Sequence, residues 1–141
     1  MAGKPRRCKD CDQGARRPRP APHPGPRCAT HHRERRKALR EASHGQHIGR
    51  TYNLTPEQYQ AIWEAQGGQC AGKCGATGRT RRLSVDHDHA CCPGSVSCGR
   101  CVRGLLCKRC NLFIGTTRDS PAALRSLADY LENPPARRVL G

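Results

Sequence analysis

The apolar residues of this 141-residue chain come in short runs separated by long polar stretches. The clearest helical pattern covers residues 54–66. Thr55 stands at the N-cap, Pro56 follows at the first helical position, and Gln58 completes a capping box. Leu54 and Tyr59 occupy the two positions of a hydrophobic staple, Ile62 and Trp63 continue the apolar face, and Gly67-Gly68 ends it. This helix has no group suited to chemistry, so it reads as scaffold, with Trp63 in the core rather than stacked on a base. Leu83 and Val85 alternate with polar residues, which predicts a short strand running into Asp86-His87-Asp88-His89. A second short apolar run, in Arg103-Gly104-Leu105-Leu106, leads into Cys107-Lys108-Arg109-Cys110-Asn111. Leu112 to Gly115 then finishes a short helix expected to pack on the strand pair. Ser120-Pro121 caps a last helix, Ala122 to Glu132, ended by Pro134-Pro135. Its Leu124, Leu127, Tyr130 and Leu131 read as core, with a partner-binding face as the second reading. Residues 33–50 favour helix by propensity but carry no apolar stripe. A basic arm along phosphates and a solvated linker fit them equally.

These runs are too few to hold a domain of this length by burial alone. The chain has one Trp, one Phe and three Tyr, and 35% of it is hydrophobic. Ordering entropy is hard to offset with so little apolar surface. Eleven cysteines and seven histidines suggest that metal cross-links supply the difference. No stretch approaches the ~20 apolar residues of a membrane span. The first residues, Met1 to Arg7, contain no hydrophobic h-region, so a secretory signal is not expected. The reading is cytoplasmic (of a host cell, if phage-encoded), where thiols are metal ligands rather than disulfides.

The cysteines sort into three sets. Cys8-Lys-Asp-Cys11 and Cys28-Ala-Thr-His31 have two-residue gaps that let tight turns aim ligands at one ion, a three-thiolate, one-imidazole zinc shell. Spacing favours His31 over the adjacent His32. Between the two pairs, Arg16 to Pro26 is too rich in proline for helix or sheet and reads as an extended loop. Cys70-Ala-Gly-Lys-Cys74 with Cys107 and Cys110 makes a four-thiolate set around the first strand. Cys91, Cys92, Cys98 and Cys101 form a third. Adjacent Cys91 and Cys92 are awkward joint ligands, yet with this set all eleven cysteines and His31 are accounted for. One to three structural zinc ions follow.

Charge points to the partner. Net charge is +15, divided as +10 over residues 1–50 and +5 over residues 51–141. Such a field draws polyanions and favours counterion release from a phosphate backbone. Arg79, Arg81 and Arg82, just before the first strand, are placed to meet phosphates.

The chemistry concentrates in Asp86-His87-Asp88-His89 and Asn111. A carboxylate and an amide hold a hard divalent cation through oxygen, and a neutral imidazole takes a proton from water. Asp88 alternates to the strand face opposite His87 and His89 and stays outside this set. The residues read as a zinc-stapled, metal-dependent nuclease.

Several motifs together carry a resemblance: Asn53-Leu54-Thr55-Pro56-Glu57-Gln58-Tyr59, Gly68-Gln69-Cys70, Val85-Asp86-His87-Asp88-His89, Val102-Arg103-Gly104-Leu105-Leu106-Cys107 and Cys110-Asn111. In order and approximate spacing, residues 51–131 resemble the recombination endonuclease VII family, a phage-associated group within the HNH, or ββα-metal, nucleases. The resemblance implies a hairpin and helix clamped by one structural zinc on Cys70, Cys74, Cys107 and Cys110. It implies a catalytic Mg²⁺ or Mn²⁺ held by Asp86 and Asn111, with His87 activating the attacking water and His89 positioning the scissile phosphate. Family members cut branched DNA, including four-way junctions, and some work as intertwined dimers. The chain departs from the pattern in three ways. Its first knuckle is Cys-x3-Cys, the four-cysteine insertion sits between the hairpin halves, and position 114 is Ile where some members place an acid.

The expected fold is therefore a small zinc-stabilised α+β protein with a ββα-metal core, flanking helices and an N-terminal zinc-knuckle-like basic segment. The expected division is residues 1–50 (basic segment), 51–133 (nuclease domain) and 134–141 (tail). The expected activity is phosphodiester hydrolysis in branched or Holliday-junction DNA during phage recombination or packaging. Two alternatives stand beside it: a general nicking endonuclease on duplex DNA, and a non-catalytic zinc adaptor that binds nucleic acid.

Overall fold

The computed structural model describes residues 6–11 and 18–141, so Arg16 and Arg17 of the proline-rich stretch lie outside the described residues. The chain forms two compact units, residues 1–46 and 47–141. Among the described residues, five helices and two strands follow in the order α1 (Ala29–Tyr52), α2 (Pro56–Ala65), β1 (Ser84–His87), β2 (Val102–Leu106), α3 (Lys108–Thr116), α4 (Pro121–Glu132) and α5 (Arg137–Leu140). The architecture is small α+β.

In the first unit Cys8 and Cys28 are the buried residues among those described. The proline-rich stretch is not wholly irregular, as expected, for Arg7 and Pro20 form an isolated antiparallel bridge. Proline has no N–H to give, and its neighbours supply the bonds instead. The Cys8 N–H donates to the Arg19 carbonyl and the Ala21 N–H to the Arg6 carbonyl. The stretch after Cys28, open between arm and linker by sequence, is helical throughout α1.

In the second unit the core is one cluster: Ile48, Leu54, Tyr59, Cys70, Leu83, Val85, Leu105 and Leu106. The α2 capping box forms, with Gln58 N–H donating to Thr55 Oγ1 and Thr55 N–H to Gln58 Oε1. Both staple residues, Leu54 and Tyr59, are buried, and the Tyr59 hydroxyl donates to the Leu83 carbonyl at 2.8 Å. That bond fastens α2 to the start of the hairpin. Trp63 is partly buried against the core and donates Nε1–H to the Thr77 carbonyl.

Strands β1 and β2 pair antiparallel, Ser84 opposite Leu106, Val85 opposite Leu105 and Asp86 opposite Gly104. The strand begins at Ser84 rather than Leu83 and ends at His87, so Asp88 and His89 lie in the turn beyond it. His87 pairs with Val102, which leaves Arg103 in a β-bulge. A bulge re-aims the extra side chain and sharpens the local twist. Gln66 borders β2 as a surrogate strand: Leu105 N–H donates to its Oε1 at 2.7 Å, and its Nε2 donates to the Leu105 carbonyl at 3.0 Å. Glycine at position 104 leaves room for this pairing, since a Cβ would stand 2.9 Å from Gln66 Oε1 and displace the amide.

Helix α3 follows β2 directly, and its Cys110 and Ile114 pack on the core; Leu112 and Phe113 are exposed. Helix α4 departs from expectation more plainly. Ser120 caps it, but no residue of it is buried, and Leu127, Tyr130 and Leu131 face solvent. A core this small is complete without α4. Among the described residues no helix is long and apolar enough to cross a membrane.

Candidate active site and metal centres

Three groups of ligand atoms converge, each with all four atoms within 4.8 Å of one another: Cys8, Cys11, Cys28 and His31; Cys70, Cys74, Cys107 and Cys110; Cys91, Cys92, Cys98 and Cys101. A tetrahedral zinc with ~2.3 Å bonds to sulfur sets its ligands about 3.8 Å apart. Cys74 and Cys107 Sγ lie 3.5 Å apart, Cys91 and Cys98 3.9 Å, and Cys91 and Cys92 3.9 Å. The clusters are compatible with structural zinc, the adjacent Cys91-Cys92 pair included.

The first cluster takes His31, whose Nδ1 lies 3.2 Å from Cys8 Sγ and 3.4 Å from Cys28 Sγ. His32 stacks instead on His23.

The second cluster joins the loop after α2 to the β2–α3 junction. Cys107 caps α3, its Sγ accepting from Cys110 N–H, while its own N–H donates to Cys70 Sγ at 3.2 Å. The Cys110 backbone N–H draws the Cys107 thiol down to about 7, and the hydrogen bond with Cys74 pushes Cys110 up to about 12. One thiol thus ionises readily beside another that keeps its proton until a metal takes its place. The Cys-x3-Cys gap contains Gly72 for a steric reason: a Cβ there would meet Cys110 Sγ at 3.0 Å and its Cβ at 3.3 Å.

The third cluster closes the turn between the strands. The Cys101 backbone N–H lowers Cys98 to about 6, and the hydrogen bond with Cys92 raises Cys91 to about 12.

At the end of β1 the side chains form two linked pairs. Asp86 is buried, and Arg103 from the bulge clasps both of its oxygens, Nε to Oδ2 at 2.8 Å and Nη2 to Oδ1 at 3.1 Å. The same Nη2 reaches Asp119 Oδ2 at 3.0 Å, and that oxygen also accepts from His89 Nδ1 at 2.8 Å. The His89 hydrogen bond, then Arg103, hold the Asp119 carboxyl below its usual range, and the Asp86 hydrogen bonds push Arg103 above its own.

His87 is also buried, at 5% exposure. Its Nε2 lies 3.2 Å from both the Cys92 and Gly94 carbonyls, and its ring stands edge-on to Tyr52. Two carbonyls accept only from a protonated nitrogen, so Nε2 carries a hydrogen, and in the neutral ring the lone pair is then on Nδ1. His89 is held the other way round, tied through Nδ1 with Nε2 left over. The two rings are 4.6 Å apart.

Asp88 is occupied elsewhere: its carboxylate accepts from Ala90 N–H and shapes the turn. Asn111 sits in the first turn of α3, next to Cys110. Ile114 packs on the core, so this position serves hydrophobic packing. Arg79, Arg81 and Arg82 are exposed.

Asp119 and Tyr52 were not singled out from the sequence. Asp119 sits in a turn before α4 where it and Arg118 both adopt positive φ, a conformation aspartate tolerates better than most residues. An aspartate just before a Ser-Pro helix start was its only sequence signal.

The recombination endonuclease VII family model matches residues 45–133. The chain is 48% identical to the Gene 59 protein of Mycobacterium phage D29 and 46% identical to the Gene 59 protein of Mycobacterium phage L5. Each match runs over 136 residues, 95% of this chain and 78% of the relative. No solved structure matches. The matched span takes in α2, the hairpin, α3 and α4 and with them Asp86, His87, His89 and Asn111, and the chain belongs to the recombination endonuclease VII family.

Proposed function

We propose that this chain is a DNA endonuclease of the HNH, or ββα-metal, type. It hydrolyses phosphodiester bonds of branched DNA, four-way junctions above all, in phage recombination or packaging. Family membership implies a nuclease acting on DNA, and one observation carries the finer reading. A buried imidazole at the end of a hairpin strand is held through Nε2, so in the neutral ring the lone pair is on Nδ1, and the residue before it is a buried carboxylate.

In this reading His87 Nδ1 takes the proton of the attacking water, and His89, tethered to Asp119 through Nδ1–H, donates from Nε2 to a phosphate oxygen in its imidazolium form. Asp86 and Asn111 are the oxygen donors for the divalent ion. The donor set suits a hard cation: a carboxylate has about four lone-pair directions and Arg103 occupies two of them. A bound Mg²⁺ or Mn²⁺ supplies charge neutralisation at the scissile phosphate. The basic surface, with Arg79, Arg81 and Arg82 exposed, supports backbone binding. Zinc on the cysteine clusters is structural, and the solvent-facing Leu127, Tyr130 and Leu131 suit a homodimer contact.

The test is cutting by the purified protein, with Mg²⁺, of a labelled four-way junction and a linear duplex of the same arm sequence, with His87→Ala alongside. Cutting confined to the junction and lost in the variant is the expected result. Equal cutting of both DNAs makes the protein a duplex nickase. No cutting by zinc-loaded protein sinks the catalytic assignment in favour of a binding adaptor.

A further inference from the structure

The segment from Asp88 to Cys101 has no apolar core of its own to hold it in place. It contains no helix or strand, and its only buried residue is Ser97, a hydroxyl. Val96, its one large aliphatic side chain, is 60% exposed. Yet this segment supplies the two carbonyls, of Cys92 and Gly94, that bond His87 Nε2. What converges inside it is the set of four sulfurs from Cys91, Cys92, Cys98 and Cys101.

Hydrogen bonds close this segment on itself and tie it to the end of α1 and the residue after it. Cys101 accepts from Asp88 N–H through its carbonyl at 2.9 Å, and its Sγ lies 3.2 Å from Ser97 Oγ. Ser97 N–H donates to the Thr51 carbonyl, and Asn53 Nδ2 donates to the Cys98 carbonyl. One carbonyl partner of His87 belongs to Cys92, a cluster member, and the other lies two residues on, across Pro93.

We propose that this loop is a metal-held clamp: a zinc ion on Cys91, Cys92, Cys98 and Cys101 fixes the Cys92 and Gly94 carbonyls against His87 Nε2 and so selects the tautomer with its lone pair on Nδ1. The soft four-thiolate set chooses zinc over the hard ions of phosphoryl chemistry. The cluster is thus a positioning site and touches no reacting atom. Its consequence for cutting rests on the nuclease reading above; its consequence for the imidazole does not.

The experiment compares full-length wild type, Cys98→Ser and Cys98→His, each expressed with zinc and carrying ¹⁵N-labelled histidine. Zinc per chain is counted, and long-range ¹H–¹⁵N spectra read which His87 nitrogen bears the proton. Three zinc ions and a single Nε2–H tautomer are expected for wild type. Cys98→Ser should lose one ion, give mixed His87 tautomers and cut about tenfold or more slowly. Cys98→His, which restores a fourth ligand, should recover both the ion and the tautomer. Two zinc ions in the wild type, or an unchanged His87 tautomer in Cys98→Ser, overturns the clamp. If Cys98→Ser does not fold, cadmium-loaded wild type decides the site: a ¹¹³Cd signal must couple to the β-protons of these four cysteines, and its absence overturns the proposal. A wild type that cuts no DNA removes the nuclease reading and leaves the zinc count and tautomer to judge the clamp.

Discussion

Arg103 holds Asp86 by both carboxylate oxygens because the β-bulge between Asp86 and His87 leaves Arg103 without a cross-strand partner and turns it back over the strand. The buried carboxylate carries its own counter-charge as a result. Replacing Arg103 with Ala strands that charge. The expected cost is on the order of 1–3 kcal/mol, less than for a fully buried pair because 35% of the Arg103 side chain is exposed. A divalent ion at Asp86 would replace the lost charge. Mg²⁺ should therefore raise the melting temperature of Arg103→Ala more than that of wild type; equal shifts would argue against Asp86 as a metal ligand.

Asp119 tethers His89 and shares Arg103. Its carboxyl is held down, first by His89 and then by Arg103. A depressed carboxyl contributes fully above its unfolded value, about 3.9, and loses that contribution as pH falls through the lower folded value. No Asp119 proton exchanges near neutrality. Asp119→Asn should slow cutting with zinc content unchanged, because His89 loses the carboxylate that tethers it. Unchanged cutting in this variant would remove the tethering role.

Zinc uptake by the metal-free second cluster must displace protons, because Cys110 keeps its own up to about 12. Cys107, at about 7, is ionised above neutrality and protonated below it. Zinc affinity should then fall as pH falls, more steeply below about pH 7 than above. Competition with a chromophoric chelator at several pH values measures the slope, and a single unbroken slope would contradict the uneven thiols.

Gly72 leaves the space that Cys110 fills. Gly72→Ala forces the Cys110 side chain to move by a few tenths of an ångström, and in a closed tetrahedral shell there is little room to do so. Zinc should leave this variant faster, while Ala substituted at Gly94, whose Cβ meets nothing within 4 Å, should leave the second cluster unaffected. Equal release rates in the two variants would remove the steric reading.

The linear pattern alone determined the elements whose causes are local. The α2 cap and staple, the final helix start at Ser120-Pro121 and the cysteine pairs are set by neighbours a few residues apart, and each formed at those positions. Periodicity also located the two strands, though not their ends. What it could not supply were relations across the fold. The bulge that frees Arg103 depends on cross-strand register, and the His89–Asp119 bond spans 30 residues. The carbonyls that orient His87 belong to a loop with no apolar pattern to read. The last helix shows the opposite failure. Its leucines look like core by spacing, but the eight-residue cluster around Leu105 closes without them and leaves Leu127 and Leu131 in solvent. Spacing says which residues share a face; only packing in three dimensions decides whether anything covers it.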